Sequence, residues 1–222
     1  MRALLIFDFD GVIADSEVLS NTVLAETISA HGVPTSVEDC YRLYMGKRVP
    51  EITVAIAELT SRALPDNFIE SLQSATMQRF RRELRAVAGA RDFIDAFADV
   101  PRCIASSSAP ARLALCLEVL DLQSRFGANV FSAEQVARGK PHPDIFLFAA
   151  ERMGVEPVHC IVIEDSVGGV QAARAAGMTA IGLTAASHIR DGHTERLQQA
   201  GAHHVVPTFD EARDIVRRLL AR

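Results

Sequence analysis

Leu4-Leu5-Ile6-Phe7-Asp8-Phe9-Asp10-Gly11-Val12 runs four apolar residues straight into two carboxylates, with one residue between them and a glycine behind. A short apolar run bordered by turn residues reads as a buried strand, and side chains two apart on a strand share a side. Asp8 and Asp10 are therefore expected to converge where the strand ends. Converging carboxylates repel unless a cation binds between them or one takes up a proton. The pattern points to a divalent metal site beside a nucleophile or acid. An ordinary turn is the other reading, because Asp and Gly after a strand also favour turns on local grounds.

Outward from this strand, Asp15-Ser16-Glu17 opens a helical pattern that Asp15 or Ser16 can cap and Gly32 stops. Further helices are expected from Pro50, with Ile52, Ile56 and Leu59 at helical spacing, and from Pro65-Asp66, with Phe68, Leu72 and Phe80 on one side. No strand pattern falls between Asp15 and Arg85. From Ala86 onward strands alternate with helices. Strands are expected at 102–105, 129–131, 160–163, 179–183 and 204–206, and helices at 91–98, 110–120, 143–153, 166–176 and 210–220. Such alternation, with nearly continuous apolar strands, predicts an α/β fold with a parallel sheet covered on both faces. Residues 1–14 and 86–222 form its core domain, and 15–85 an inserted all-helical domain.

The chain has 222 residues, 49% apolar and 23% charged, and a formal charge of -5. This is the composition of a globular protein without the basic surface that nucleic acid demands. Arg81, Arg82 and Arg85 make one basic cluster, read as a solvated helix face. No apolar run is long enough for a membrane span or fits a signal peptide, so the expected location is cytoplasmic. Cys40, Cys103, Cys116 and Cys160 lack metal-ligand spacing and read as small buried hydrophobes in a reduced compartment. A monomer or weak homo-oligomer is expected. Of 23 basic residues only Lys47 and Lys140 are lysines, which marks them as sites wanting a compact ammonium.

Strands of a parallel sheet end at one edge, and ligands bind outside those ends. Asp8 and Asp10, Ser106, and Glu164 with Asp165 each follow a different expected strand. Lys140 precedes a helix in Gly139-Lys140-Pro141-His142-Pro143-Asp144. Together they suggest a phosphate site. The carboxylates offer hard oxygens for Mg²⁺, Ser106 and the amides of Ser107 and Ser108 can donate to phosphoryl oxygens, and Lys140 adds positive charge. Asp8 would attack as nucleophile, while Asp10 would protonate the leaving oxygen and later activate water.

Asp8-Phe9-Asp10-Gly11-Val12, Ser106, Lys140 in its Gly-Lys-Pro-His-Pro-Asp loop, and Glu164-Asp165-Ser166 resemble, in order and spacing, the four motifs of the haloacid dehalogenase (HAD) superfamily. The helical insertion is similar to the cap of its subgroup of β-phosphoglucomutases and small sugar-phosphate phosphatases. The resemblance implies a Rossmann-like core and a helical cap. It also implies an aspartyl-phosphate on Asp8, acid/base work by Asp10, and a phosphoryl group held by Ser106, Ser107 and Lys140. Mg²⁺ would be bound by the Asp8 side chain, the Asp10 carbonyl and Asp165, with Glu164 as a further or supporting ligand. The expected substrate is a small phosphorylated metabolite, a sugar phosphate above others.

The match to the mutases is incomplete. Val49 stands where they have an arginine, a second cap lysine is missing, and no histidine lies near Ser20. These departures favour hydrolysis, with a phosphomutase or a catalytically silent phosphometabolite sensor as alternatives. Lys47 and Arg48 could grip an anionic substrate or form a solvated turn. His188, His193, His203 and His204 lack zinc spacing and are expected on the surface or in loops.

Overall fold

The computed structural model describes residues 3–44, 49–60 and 64–221. It falls into two compact units, one of residues 1–15 and 85–222 and the other of residues 16–84. Strand β1 (Leu4–Phe7) is wholly buried. The chain then enters the second unit through α1 (Glu17–Ala30), α2 (Val37–Tyr44), α3 (Val49–Thr60) and α4 (Phe68–Glu83). Val23, Leu24, Ile28, Cys40, Tyr44, Ile52, Ile56, Phe68 and Leu72 make its core. No strand occurs among its described residues.

Three local features differ from expectation. Helix α2 follows a reciprocal cap that sequence periodicity does not display: Asp39 N donates to Ser36 Oγ at 3.1 Å, while Ser36 N and Oγ donate to Asp39 Oδ2 at 3.1 and 2.6 Å. Helix α4 begins at Phe68 rather than at Pro65, because Phe68 N donates to Pro65 O in a separate turn. Asp15 does not serve as the cap of α1. Its Oδ1 accepts from Ser187 N and Oγ, at 3.1 and 2.8 Å.

In the first unit the chain continues through α5 (Ala90–Ala96), β2 (Arg102–Ser106), α6 (Pro110–Val119), α7 (Gln123–Phe126), β3 (Val130–Ser132), α8 (Asp144–Met153), β4 (Cys160–Glu164), α9 (Val167–Ala175), β5 (Thr179–Leu183), α10 (His193–Gln199), β6 (His204–Val206) and α11 (Phe209–Leu220). The six strands are all parallel, in the order β3-β2-β1-β4-β5-β6. All the expected strands are present. Central β1 pairs Phe7 with Ile104 of β2 and with Ile163 of β4. The strand order reverses beside it, which opens a crevice at the carboxyl ends. Residues flanking the helical insertion run antiparallel: Ala14 bridges Ala86, Asp15 N donates to Arg85 O, and Val87 N donates to Ile13 O.

Alternation along β1 divides the core. Leu4 and Ile6 pack with Cys103, Phe146, Ala149, Val162 and Ala172, under α8 and α9. Phe7 faces the other way, with ring centroids 5.9 Å from both Phe93 and Phe126, and Phe93 also meets Phe209 of α11 at 5.0 Å. All four cysteines are free and buried. Burial pushes the Cys40 and Cys160 thiols up to about 11, so both stay protonated and apolar in character at neutral pH. No helix among the described residues is long and apolar enough to cross a membrane.

Helix α9 starts against the end of β4. Its cap, Ser166, accepts from Gly169 N at 3.0 Å, and a Cβ built on Gly169 would lie 1.7 Å from Glu164 Oε1. The next glycine back, Gly168, would meet nothing within 4 Å. Alanine at these neighbours should therefore act with opposite signs in denaturant unfolding. Gly168→Ala stabilises by about 0.5–1 kcal/mol through helix propensity, and Gly169→Ala destabilises by about 1–3 kcal/mol through overpacking. Phe93→Ala, which empties the aromatic layer, should cost about 3–5 kcal/mol in the same measurement.

Candidate active site

Strand pairing carries Asp8 one residue past β1, since its N–H still donates to Ile163 O at 3.0 Å. Its carboxylate is thus fixed at the sheet edge. A tight turn follows, in which Gly11 N donates to Ala14 O and Ile13 and Ala14 both return to Phe9 O. Gly11 adopts φ +77°, and a Cβ there would stand 1.9 Å from Asp165 Oδ2. Only glycine allows both the left-handed backbone and that approach. The β1 turn and the end of β4 are pressed together by this contact.

At the end of β4, Glu164 is fully buried. Its Oε1 accepts from Lys140 Nζ at 2.6 Å, and its Oε2 accepts from Ser166 N and Oγ at 2.7 and 2.9 Å. Lys140 Nζ also donates to Asp8 Oδ1 at 2.8 Å and lies 4.8 Å from the Phe146 ring centroid. The lysine thus bridges two carboxylates from neighbouring strands. Asp8, Glu164 and Asp165 each bring an oxygen within 4.8 Å of the others.

This cluster places three carboxyl groups around one ammonium. Burial, with repulsion from Glu164 and Asp165, holds the Asp8 carboxyl well above the usual carboxylate range despite the pull of Lys140. Burial also works against the Lys140 charge, but Asp8 and Glu164 outweigh it and hold the ammonium above the ordinary lysine range. A hard divalent cation fits both the oxygen donors and the surplus negative charge.

Asp165 is gripped from the loop after β5 and from the start of α10. Its carbonyl accepts from His193 Nε2 at 2.6 Å, and its Oδ2 lies 3.2 Å from His188 Nε2. His188 belongs to a loop, one of the two placements expected of it, and is buried there, 6% exposed. Desolvation and the nearby Arg196 hold His193 below the ordinary imidazole range, which suits a neutral ring donating to a carbonyl.

On the other flank, buried Ser106 ends β2 and its Oγ accepts from Ser108 N at 3.1 Å; the Ser107 side chain is exposed. Asp10 is engaged here: Oδ2 accepts from Ser108 Oγ at 2.5 Å and Oδ1 from Arg112 Nη2 at 2.6 Å. The structure therefore joins Asp8, Lys140, Glu164 and Asp165 directly. It links Asp10 to the Ser106 turn through Ser108. Lys47 and Arg48 lie outside the described residues. Arg112, the Ser108 hydroxyl, His188 and His193 were not foreseen as site residues; the one available signal for Arg112 was its position in the first turn of the helix that follows Ser106.

Residues 3–177 match the family of haloacid dehalogenase-like hydrolases. A phosphorylated carbohydrates phosphatase of Thermotoga maritima is 33% identical over 220 residues, which is 97% of this chain and 98% of that one. A haloacid dehalogenase-like protein of Agrobacterium tumefaciens has a solved structure that superposes with a TM-score of 0.86 at 33% identity, covering 100% of both chains. A HAD family hydrolase of Deinococcus radiodurans, solved with bound phosphate and sodium, superposes with a TM-score of 0.83 at 30% identity, over 98% of this chain and 96% of that one. With the match spanning the β1 carboxylates, the Ser106 turn, Lys140 and the β4 acids, the chain belongs to the haloacid dehalogenase-like hydrolase family.

Proposed function

We propose that the chain is a Mg²⁺-dependent phosphatase of small phosphorylated metabolites, sugar phosphates above others, working through an aspartyl-phosphate on Asp8. The observation that carries the reading is Asp8 itself: a buried carboxylate at a sheet edge, 2.8 Å from a lysine and grouped with two more carboxyl groups. The substrate class is supported by the phosphorylated carbohydrates phosphatase of Thermotoga maritima and by the phosphate bound to the Deinococcus radiodurans hydrolase. Val49 and Ser20, which replace the arginine and histidine expected of a mutase, favour hydrolysis. The inserted helical unit would select the substrate.

In the first half-reaction an Asp8 carboxylate oxygen bonds to phosphorus, the bond to the leaving oxygen breaks, and that oxygen takes the Asp10 proton. In the second, water attacks phosphorus, Asp10 takes a water proton, and the Asp8 oxygen departs, releasing phosphate. Lys140 and the Ser106 turn hold the phosphoryl oxygens. A bound Mg²⁺, held by Asp8, the Asp10 carbonyl and Asp165, would supply the charge that offsets phosphoryl negative charge. Glu164, whose two oxygens carry Lys140 and Ser166, serves best as the support that aims Lys140.

Phosphate release from a panel of sugar phosphates, phosphoglycolate, 6-phosphogluconate and 4-nitrophenyl phosphate tests this directly. Release should require Mg²⁺, vanish with EDTA, and be absent from Asp8→Asn that unfolds normally. Asp10→Asn should lose about 10²- to 10⁴-fold in kcat. Wild-type release from Asp8→Asn would refute the nucleophile assignment.

A further inference from the structure

Asp10 is held by the segment that also ends in the Ser106 turn. From β2 the chain passes Ser106, Ser107 and Ser108 and enters α6 at Pro110, so Arg112 stands in the first helical turn. Ser108 Oγ and Arg112 Nη2 each take one oxygen of the Asp10 carboxylate, at 2.5 and 2.6 Å. Ser108 is itself fixed from two strands. Its N–H donates to Ser106 Oγ at 3.1 Å, and its carbonyl accepts from Ser132 Oγ, on β3, at 2.8 Å. Ser106 and Ser132 are cross-strand partners in the β2–β3 register.

One donor on each oxygen fixes the rotation of a carboxylate about its last side-chain bond. Because a carboxylate offers about four acceptor positions, this orients the group without using up its capacity to carry a proton. The Arg112 and Asp10 side chains retain only 25% and 15% exposure, so the pair is largely shielded and contributes to folding as well as to orientation. A two-point hold on the group that must meet the leaving oxygen has a clearer use in catalysis, where misplacement by about 1 Å can cost roughly 100-fold.

We propose that Arg112, together with Ser108, is a positioning residue that aims Asp10 at the leaving oxygen and ties its orientation to the phosphoryl seat at Ser106. The inference rests on the acid/base reading of Asp10. Arg112 does not itself touch the reacting atoms in this scheme, and a guanidinium is suited to it because its rigid planar fork sets an angle that an ammonium does not.

A double-mutant cycle on the best sugar phosphate of the panel tests the clamp. Arg112→Ala should still unfold in one cooperative transition above the assay temperature, lose roughly 10- to 100-fold in kcat, and change KM little. Arg112→Lys should recover part of the rate, and Ser108→Ala should show a smaller loss of the same kind. In the Asp10→Asn background, Arg112→Ala should cost nothing further, because the proton transfer that the clamp aims is already gone. With 4-nitrophenyl phosphate, whose leaving group needs no proton, the Arg112→Ala loss should shrink. Multiplying losses in the double mutant, a rise in KM at unchanged kcat, or wild-type kinetics in Arg112→Ala and Arg112→Lys would overturn the clamp alone. Wild-type activity in Asp10→Asn would overturn the acid/base reading and the clamp with it.

Discussion

Repulsion among carboxyl groups at the end of β1 and β4 is the constraint around which the first unit is arranged. Like unit charges within 4.8 Å of one another repel by at least about 3 kcal/mol at an effective dielectric near 20, and Asp8, Glu164 and Asp165 are all buried. Lys140 offsets part of this by sitting between Asp8 and Glu164. Its ammonium lies 4.8 Å from the Phe146 ring centroid, so the charge that balances the site rests on a side chain of the apolar core. Around it, backbone and side-chain donors take up the remaining demand, from the cap of α9 onto Glu164 and from the start of α10 onto Asp165.

The sheet order makes this concentration of charge useful. With β1 between β2 and β4, Asp8 is flanked on one side by hydroxyls and amides and on the other by acids. Hydrogen-bond donors and acidic oxygens thus arrive from opposite neighbours. Two glycines, Gly11 and Gly169, remove the side chains that would hold these parts away from the acids. Apart from Lys140, which its loop supplies, the polar cluster is built where strands end and helices begin, and regular elements hold side chains more precisely than loops do.

Much of this was legible in the residues because strand ends are marked twice, by the apolar run before them and by the polar residue after them. Asp8, Ser106, Glu164 and Asp165 all carry that double mark, and Lys140 stood out as one of two lysines. Arg112 carried no such mark. Its partner is 102 positions away, and in a chain that uses arginine for 21 of its 23 basic residues one more arginine looks like any solvated charge until the strand order is known. His188 was hidden for a different reason, since a loop has no periodicity from which burial can be read. Asp15 looked like a helix cap because that is the local use of an aspartate before Ser-Glu, and the partner that claims it, Ser187, lies 172 positions on. Helix α2 was overlooked because its Ser36-to-Asp39 cap spans few residues and has little apolar pattern behind it.

The antiparallel bridge between Ala14 and Ala86 gives the helical insertion adjacent points of departure and return. Seen from the sheet, the entire insertion is a single hairpin loop whose ends are already joined by backbone hydrogen bonds. Loop closure depends only weakly on length, about 0.6 kcal/mol for each doubling. The catalytic platform is therefore thermodynamically almost indifferent to what hangs from that hairpin. A longer or shorter insertion would add little to the cost of closing that hairpin, and the strand order and its charges would stay as they are.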